Sequence, residues 1–280
     1  MALTNDLPQV FESALLAATG KNVQIKDMLY LAGGYFNNAI KLDTSEGTFF
    51  LKWNTNQAKE VFEAEAKGLR LLKEHALLHV PAVVGSGHVS GTSYLLLEFV
   101  PSRFESSAYW QDFGRAMAKL HRQTAPGFGL HFQNFTGGLP QKNTPANSWA
   151  DFFFANRLKP QFGRAFYHKK LEKHYLRSIE KLHLKLPELL PQEPPALLHG
   201  DFWSGNAMPD RFGNACIFDP AVYYGHREMD LATARLLGGF PPAFFESYHH
   251  EYPLEPGFEE RASIYQLYPL VVHVNLFGSS

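Results

Sequence analysis

Apolar positions in the first hundred residues follow two periods. Met28–Leu31, Asn38–Leu42 and Phe49–Trp53 are short β-prone runs, separated by the Gly33-Gly34 pair and by the turn cluster at 43–47. Residues 57–75 switch to a helical period: Val61, Phe62, Leu69 and Leu72 share one face, and Lys59, Glu63, Lys67, Arg70 and Glu74 another. Two further strands are predicted over Pro81–Val89 and Ser93–Val100. Strands, one long helix, then strands predict a small antiparallel-rich lobe over residues 1–100.

From 101 to 280 the pattern becomes mainly helical. Tyr109–Arg122 reads as an amphipathic helix and Gly127–Ala146 as a polar loop, with further helices near 148–159 and 168–184. A proline-studded linker follows, then two brief apolar strands, Ala196–His199 and Ala215–Phe218, and a helical remainder. The expected class is α+β, a small sheet lobe joined to a larger helical one.

Composition narrows this picture mostly by exclusion. Apolar residues make up 45% of the 280 positions and charged residues 19%, a globular balance that argues against disorder. A net charge of −1 gives no broad basic field for nucleic acid. No run approaches the ~18 uninterrupted apolar residues of a spanning helix. An acid precedes the first basic residue, Lys21, so the N-terminus lacks the basic start of a signal peptide. The single cysteine, Cys216, cannot form an internal disulfide, which fits a reducing cytoplasm. Neither a membrane nor an obligate protein partner is expected.

The chemistry concentrates in residues 196–220, ALLHGDFWSGNAMPDRFGNACIFDP. Asp201 follows an apolar run, Asn206 lies five positions later, and Asp219 ends the next apolar run. In a kinase catalytic loop an Asp and an Asn stand at the same spacing, followed by a metal-binding Asp. One carboxylate accepts a hydroxyl proton, while an amide oxygen and a second carboxylate suit hard Mg²⁺. Taken alone, the segment is also compatible with an Asx turn and a strand terminator. The small lobe supplies an independent indication. Lys52 lies in the strand FFLKW, and Glu65 falls on the apolar face of the following helix, where a carboxylate needs a cation. Gly33 and Gly34, with Asn37 and Asn38, occupy a strand–turn–strand position where backbone amides could cradle phosphates, although two glycines alone also make an ordinary hairpin. Backbone groups of Glu98, Phe99 and Val100 at the lobe junction are candidates for meeting an adenine. His75 and His79 are spaced i, i+4 but lack the flanking Glu of a zinc motif, so the thirteen histidines read as surface or core residues.

LLHGDFWSGN and IFDPAVYYGHREMDLA resemble the signature of the fructosamine-3-kinase (ketosamine-3-kinase) family, on the aminoglycoside-phosphotransferase-like branch of the protein-kinase-like fold. GGYFNNA, FEAEAKGL, LLLEFV, LHRQTAPGFG, NRLKPQ and NLFG extend the resemblance over about 30–278. It implies a two-lobed kinase that uses ATP and Mg²⁺ to phosphorylate the sugar O3′ of ketosamines (ribulosamine, erythrulosamine or fructosamine), free or protein-bound, in deglycation. Carried over by position, Asp201 is the base and Asn206 and Asp219 hold metal. Lys52 and Glu65 position phosphate. Trp203 and His226 are substrate-side candidates, and His199 and Asp230 support the catalytic loop. Arg227 and Glu228 stand beside them at a helix N-terminus, where acids are favoured. Two departures are noted: the chain stops two residues past Gly278, so the family's final segment is expected to be short or absent, and the phosphate loop carries no cysteine. A same-fold kinase for an aminoglycoside or amino alcohol is the alternative, disfavoured by the presence of only Asp151 and Glu172 as acids between 113 and 179. A non-catalytic nucleotide-binding module is a further alternative.

Overall fold

The structure, a computed structural model, describes residues 7–31 and 37–278. The chain begins with helix α1 (Leu7–Thr19), then strands β1 (Ile25–Leu31), β2 (Asn38–Thr44) and β3 (Gly47–Asn54). Helix α2 (Lys59–His75) precedes β4 (Val83–Val89) and β5 (Thr92–Glu98). The strands form one sheet in the order β1-β2-β3-β5-β4, antiparallel throughout. Alternation along the strands gives this sheet two apolar faces. Leu51, Tyr94 and Leu96 pack with Phe11 and Leu15 of α1. Leu95 and Leu97 point the other way, into the main core with Phe62 and Leu69 of α2. Helix α1 was not foreseen, although Phe11, Ala14 and Leu15 carry a helical stripe.

The second lobe starts with α3 (Tyr109–Leu120) and a small hairpin, β6 (Asn134–Thr136) with β7 (Leu139–Gln141), inside the stretch read as loop. Helix α4 (Trp149–Phe152) passes through a π-helical stretch, Phe153–Leu158, into α5 (Lys159–Tyr167). Helices α6 (Lys173–His183) and α7 (Leu186–Leu189) follow, so the helix expected near 168–184 begins later and the proline-rich linker holds a helical turn. Four three-residue strands, β8 (Ala196–Leu198), β9 (Ala207–Pro209), β10 (Ala215–Ile217) and β11 (Tyr223–Gly225), pair as β8 with β11 and β9 with β10. Helices α8 (Glu228–Leu237), α9 (Pro242–Glu251) and α10 (Phe258–Phe277) close the lobe. Phe113, Phe202, Phe240 and Phe244 form an edge-and-tilt aromatic cluster between α3, the segment after β8, and α9. Among the described residues no helix is long and apolar enough to cross a membrane.

Helices α3 and α9 meet at Gly114. A Cβ there would lie 3.0 Å from the backbone N of Tyr248 and closer still to the carbonyl O of Phe244. Replacing a helical Gly by Ala ordinarily gains about 1 kcal/mol. Here the contact is with backbone, which cannot step aside, so Gly114→Ala is expected to destabilise the fold by about 1–3 kcal/mol. Denaturant unfolding of the two proteins checks both the sign and the size.

Candidate active site

Lys52 lies mid-strand on β3, on the face toward α2, and is only 7% exposed. Its Nζ donates to Glu65 Oε1 of α2 at 2.8 Å and also to Asp219 Oδ1, which follows β10. Burial disfavours the ammonium charge, but the two carboxylates outweigh it and leave the Lys52 pKa raised. Lys52 therefore stays charged and ties the sheet lobe to the helical lobe. Asp219 holds a left-handed backbone conformation, φ 56°, which is rare for a non-glycine residue and marks strain at this turn.

The segment from His199 to Asn206 is fixed from below. Asp230, at the start of α8 and almost fully buried, accepts the backbone N–H of His199 at 2.7 Å and of Gly200 at 3.0 Å. The same carboxylate meets Nε2 of His121, whose Nδ1 lies 2.8 Å from the Tyr248 hydroxyl. Gly200 has φ 82°, and a Cβ there would collide with the carbonyl O of Ala221, so only glycine lets these strands meet. His199 is fully buried: Nε2 donates to Phe218 O at 2.9 Å, and Nδ1 accepts the Asp201 N–H at 3.3 Å. Burial lowers its pKa, in keeping with a neutral ring that serves as donor and acceptor at once. One imidazole thus links the segments that carry Asp201 and Asp219.

Asn206 lies on a single 3₁₀ turn and donates its amide to the backbone O (2.9 Å) and Oδ2 (3.0 Å) of Asp201. Burial raises the Asp201 pKa to about 6, and the charges of Asp219 and Asp230 act in the same direction; Asn206 and Lys52 oppose them. The carboxyl is poised between its two states near neutral pH, as a proton acceptor requires. Because both Asn206 amide hydrogens face Asp201, its Oδ1 remains as a hard donor, with Asp219 Oδ2 as a second. Two oxygen donors suit Mg²⁺ that also takes phosphate oxygens, and among the described residues no three-residue His/Cys/Asp/Glu metal cluster competes.

The remaining candidates divide. Trp203 is half-buried and lies flat over Gly205, where any side chain would strike the indole. Asn37 Oδ1 accepts from Asn54 Nδ2 at 3.3 Å, and Asn38 is exposed opposite Trp53 at the start of β2. Gly33 and Gly34 lie outside the described residues. The Glu98 N–H is already donated to Ala82 O and its side chain turns toward Ala82 N, so of the Glu98 groups only the backbone carbonyl stays a hinge candidate beside the backbone of Phe99 and Val100. His226 departs from expectation. It is 0% exposed, stacks on Tyr265 with centroids 5.6 Å apart, and faces Glu193, so it is a core residue and cannot touch a substrate in the cleft. Glu228 is likewise buried, paired with Arg261, and Arg227 is clamped bidentately by Glu193. His121 was not singled out from the sequence, although the run LHRQ contains it; its partners are over a hundred positions away.

The five-stranded antiparallel lobe joined to a helical lobe is the architecture of the protein-kinase-like phosphotransferases. Within that class the chain belongs to the fructosamine kinase family, whose family model matches residues 8–280. A ketoamine kinase of Enterococcus faecium, named provisionally as such, is 40% identical over 256 residues, 89% of each chain. The mouse ketosamine-3-kinase is 32% identical over 284 aligned positions, 91% of each chain. A crystal structure from Haemophilus somnus, of a protein provisionally named a fructosamine-3-kinase, superposes with a TM-score of 0.87 at 30% identity, covering 95% of this chain and 90% of that one.

Removing the Asp230 carboxylate strands the buried amides of His199 and Gly200 together with His121 Nε2. Each orphaned donor costs roughly 1–3 kcal/mol, so Asp230→Ala is expected to lose about 3 kcal/mol or more of stability. Denaturant unfolding measures the loss. Hydrogen exchange should speed first at the His199 and Gly200 amides.

Proposed function

We propose that this chain is an ATP-dependent ketosamine 3-kinase. It transfers the γ-phosphoryl group of ATP to the sugar O3′ hydroxyl of a ribulosamine, erythrulosamine or fructosamine, on a free amine or a protein. One observation carries the reading: Lys52, Glu65, Asp201, Asn206 and Asp219, drawn from four separate segments, converge on one cleft of a chain in the fructosamine kinase family.

The geometry supports the following roles. Asp201 accepts the hydroxyl proton as the O3′–P bond forms and the bond to the ADP oxygen breaks, leaving phosphorylated adduct and ADP. Its raised pKa makes it a better proton acceptor than an exposed carboxylate. Lys52, oriented by Glu65, exchanges part of its contact with Asp219 for the α/β-phosphates. Asn206 and Asp219 would hold Mg²⁺, which neutralises phosphate charge when bound. The backbone of Glu98, Phe99 and Val100 is the proposed adenine contact, and Gly33, Gly34, Asn37 and Asn38 are the proposed phosphate contacts. Residues 1–100 on this reading hold the nucleotide, and 101–280 supply the base, the metal ligands and the acceptor pocket, with Trp203 beside the sugar. The protein forms no covalent bond to the phosphoryl group, so its contribution is positioning and charge stabilisation.

The test is ATP consumption with Mg²⁺ and four acceptors: ribulosyl-lysine, fructosyl-lysine, kanamycin and choline. Turnover of at least one ketosamine is expected; none on either ketosamine refutes the reading, and turnover of kanamycin or choline alone assigns a different hydroxyl acceptor. Asp201→Asn is expected to cut turnover by about 10²–10⁴-fold, the range for loss of a positioned base, while calorimetric ATP affinity stays unchanged. A near-wild-type rate in that variant would remove Asp201 from the role. The base works ionised, so kcat/KM for the ketosamine should hold above pH 6 and fall as pH drops through about 6.

A further inference from the structure

A cavity of about 460 Å³ opens between the α2–β4 connection, α3 and the β9–β10 turn. None of its lining residues belongs to the cleft described above. Its walls mix two kinds of surface. Leu78, Phe113 and Ala116 are apolar, whereas Asp210 and Tyr109 bring polar groups.

Asp210 is 4% exposed. Its Oδ1 is fully used, accepting the backbone N–H groups of Phe212 at 2.8 Å and Asn214 at 3.0 Å. Its Oδ2 meets only His79 Nδ1, at 3.2 Å. Burial alone would raise its pKa, but the two amides and His79 keep it below the ordinary carboxylate range, so the group is ionised. No lysine or arginine pairs with Asp210 among the described residues; its one ion-pair contact is the His79 ring. Tyr109 is 3% exposed, and its hydroxyl has no hydrogen-bond partner among the described residues. A buried carboxylate without a full cation is costly, and the Tyr109 hydroxyl, which has no protein partner among the described residues, lines the same space.

The ligand chemistry follows by elimination. An anion is repelled by Asp210, while Asp112 at the rim is already paired with Arg115. A neutral apolar molecule brings no countercharge to Asp210 and no partner to the Tyr109 hydroxyl. An ammonium supplies three donors and a charge, and an aliphatic stem matches the apolar wall. We propose that this cavity is a binding site for a small aliphatic ammonium ion, its head group donating to Asp210 Oδ2 and the Tyr109 hydroxyl and its stem lying against Phe113 and Ala116. The site is built on an element that leads to the cleft. His79 donates its N–H to Ala215 O at 3.1 Å and accepts from Ile217 N at 2.9 Å, and β10 runs on to Asp219 two residues later. The inference does not depend on which hydroxyl compound the enzyme phosphorylates.

The probe is n-butylammonium chloride, titrated calorimetrically into the full chain, with n-butanol as its neutral counterpart. Saturable 1:1 binding of the ammonium and none of the alcohol is expected. Asp210→Asn keeps an oxygen for the two loop amides but removes the charge, and should weaken binding about tenfold or more. Tyr109→Phe should weaken it about threefold. Ala116→Leu fills the cavity and should abolish binding. Absence of ammonium binding, equal binding of butanol, or affinity unchanged in Asp210→Asn and Tyr109→Phe overturns the proposal; the last result would place the amine elsewhere, the acceptor cleft included.

Discussion

Burying an ammonium group costs several kcal/mol unless carboxylates replace the water it loses. Lys52 is buried, and the carboxylates that compensate it come from two places far apart in the chain, Glu65 on α2 and Asp219 after β10. This single requirement orders much of the molecule. Helix α2 must lie against the sheet at a fixed rotation so that Glu65 faces inward. The two lobes must close far enough to bring Asp219 within reach. Loss of either carboxylate leaves a charge with half its compensation, which is why the contact acts as structure before any nucleotide arrives.

The same logic repeats one layer below, where the polar groups are backbone. The loop from His199 to Asn206 makes few ladder bonds, since β8 and β9 are three residues each. Its amides are met instead by the side chain of Asp230, and its direction reversal by Gly200 against Ala221. His199 then couples this loop to Phe218, so Asp201 and Asp219 are held by one neutral ring. A loop supported in this way is stiff where it carries Asp201. The strain recorded in the φ of Asp219 persists because Lys52 and the flanking pairings over-determine that residue.

How much of this could be read from the sequence depended on the range of the interaction. The two lobes, helix α2 and the spacing of Asp201, Asn206 and Asp219 were legible, because they are local patterns or motif spacings. Glu65 was legible because a lone carboxylate on an apolar helical face demands a partner. Strands β9 and β11 escaped, since three residues hold no usable period and their pairing is decided by distant segments. The π-helical stretch hid in the same way: its extra residue breaks the helical period near 154. His226 misled because a histidine a few residues after Asp219 looks exposed and chemical, whereas Glu193 and Tyr265, which enclose it, lie 33 and 39 positions away.

Arg157 shows what a motif gains when its environment is known. The run NRLKPQ carried only resemblance, yet the π-helical turn directs Arg157 into the core with 0% exposure. No carboxylate pairs with it among the described residues. Its guanidinium is held by the carbonyl oxygens of Lys142 and Asn156 and by Asn143 Oδ1, and it stacks on Tyr223 at 3.8 Å. Neutral acceptors and an aromatic face can hold an arginine in this way because its charge is spread over a weakly hydrated plane; a lysine's compact charge could not be held so. The residues it grips lead into the β6–β7 hairpin, whose Asn134 and Gln141 donate to the carbonyls of Val222 and Ala221, immediately past Asp219. The buried charge therefore fixes the loop that braces the far end of the Asp219 turn. A short run of residues far from the Lys52–Asp219 contact thus sets the position of the turn that makes it.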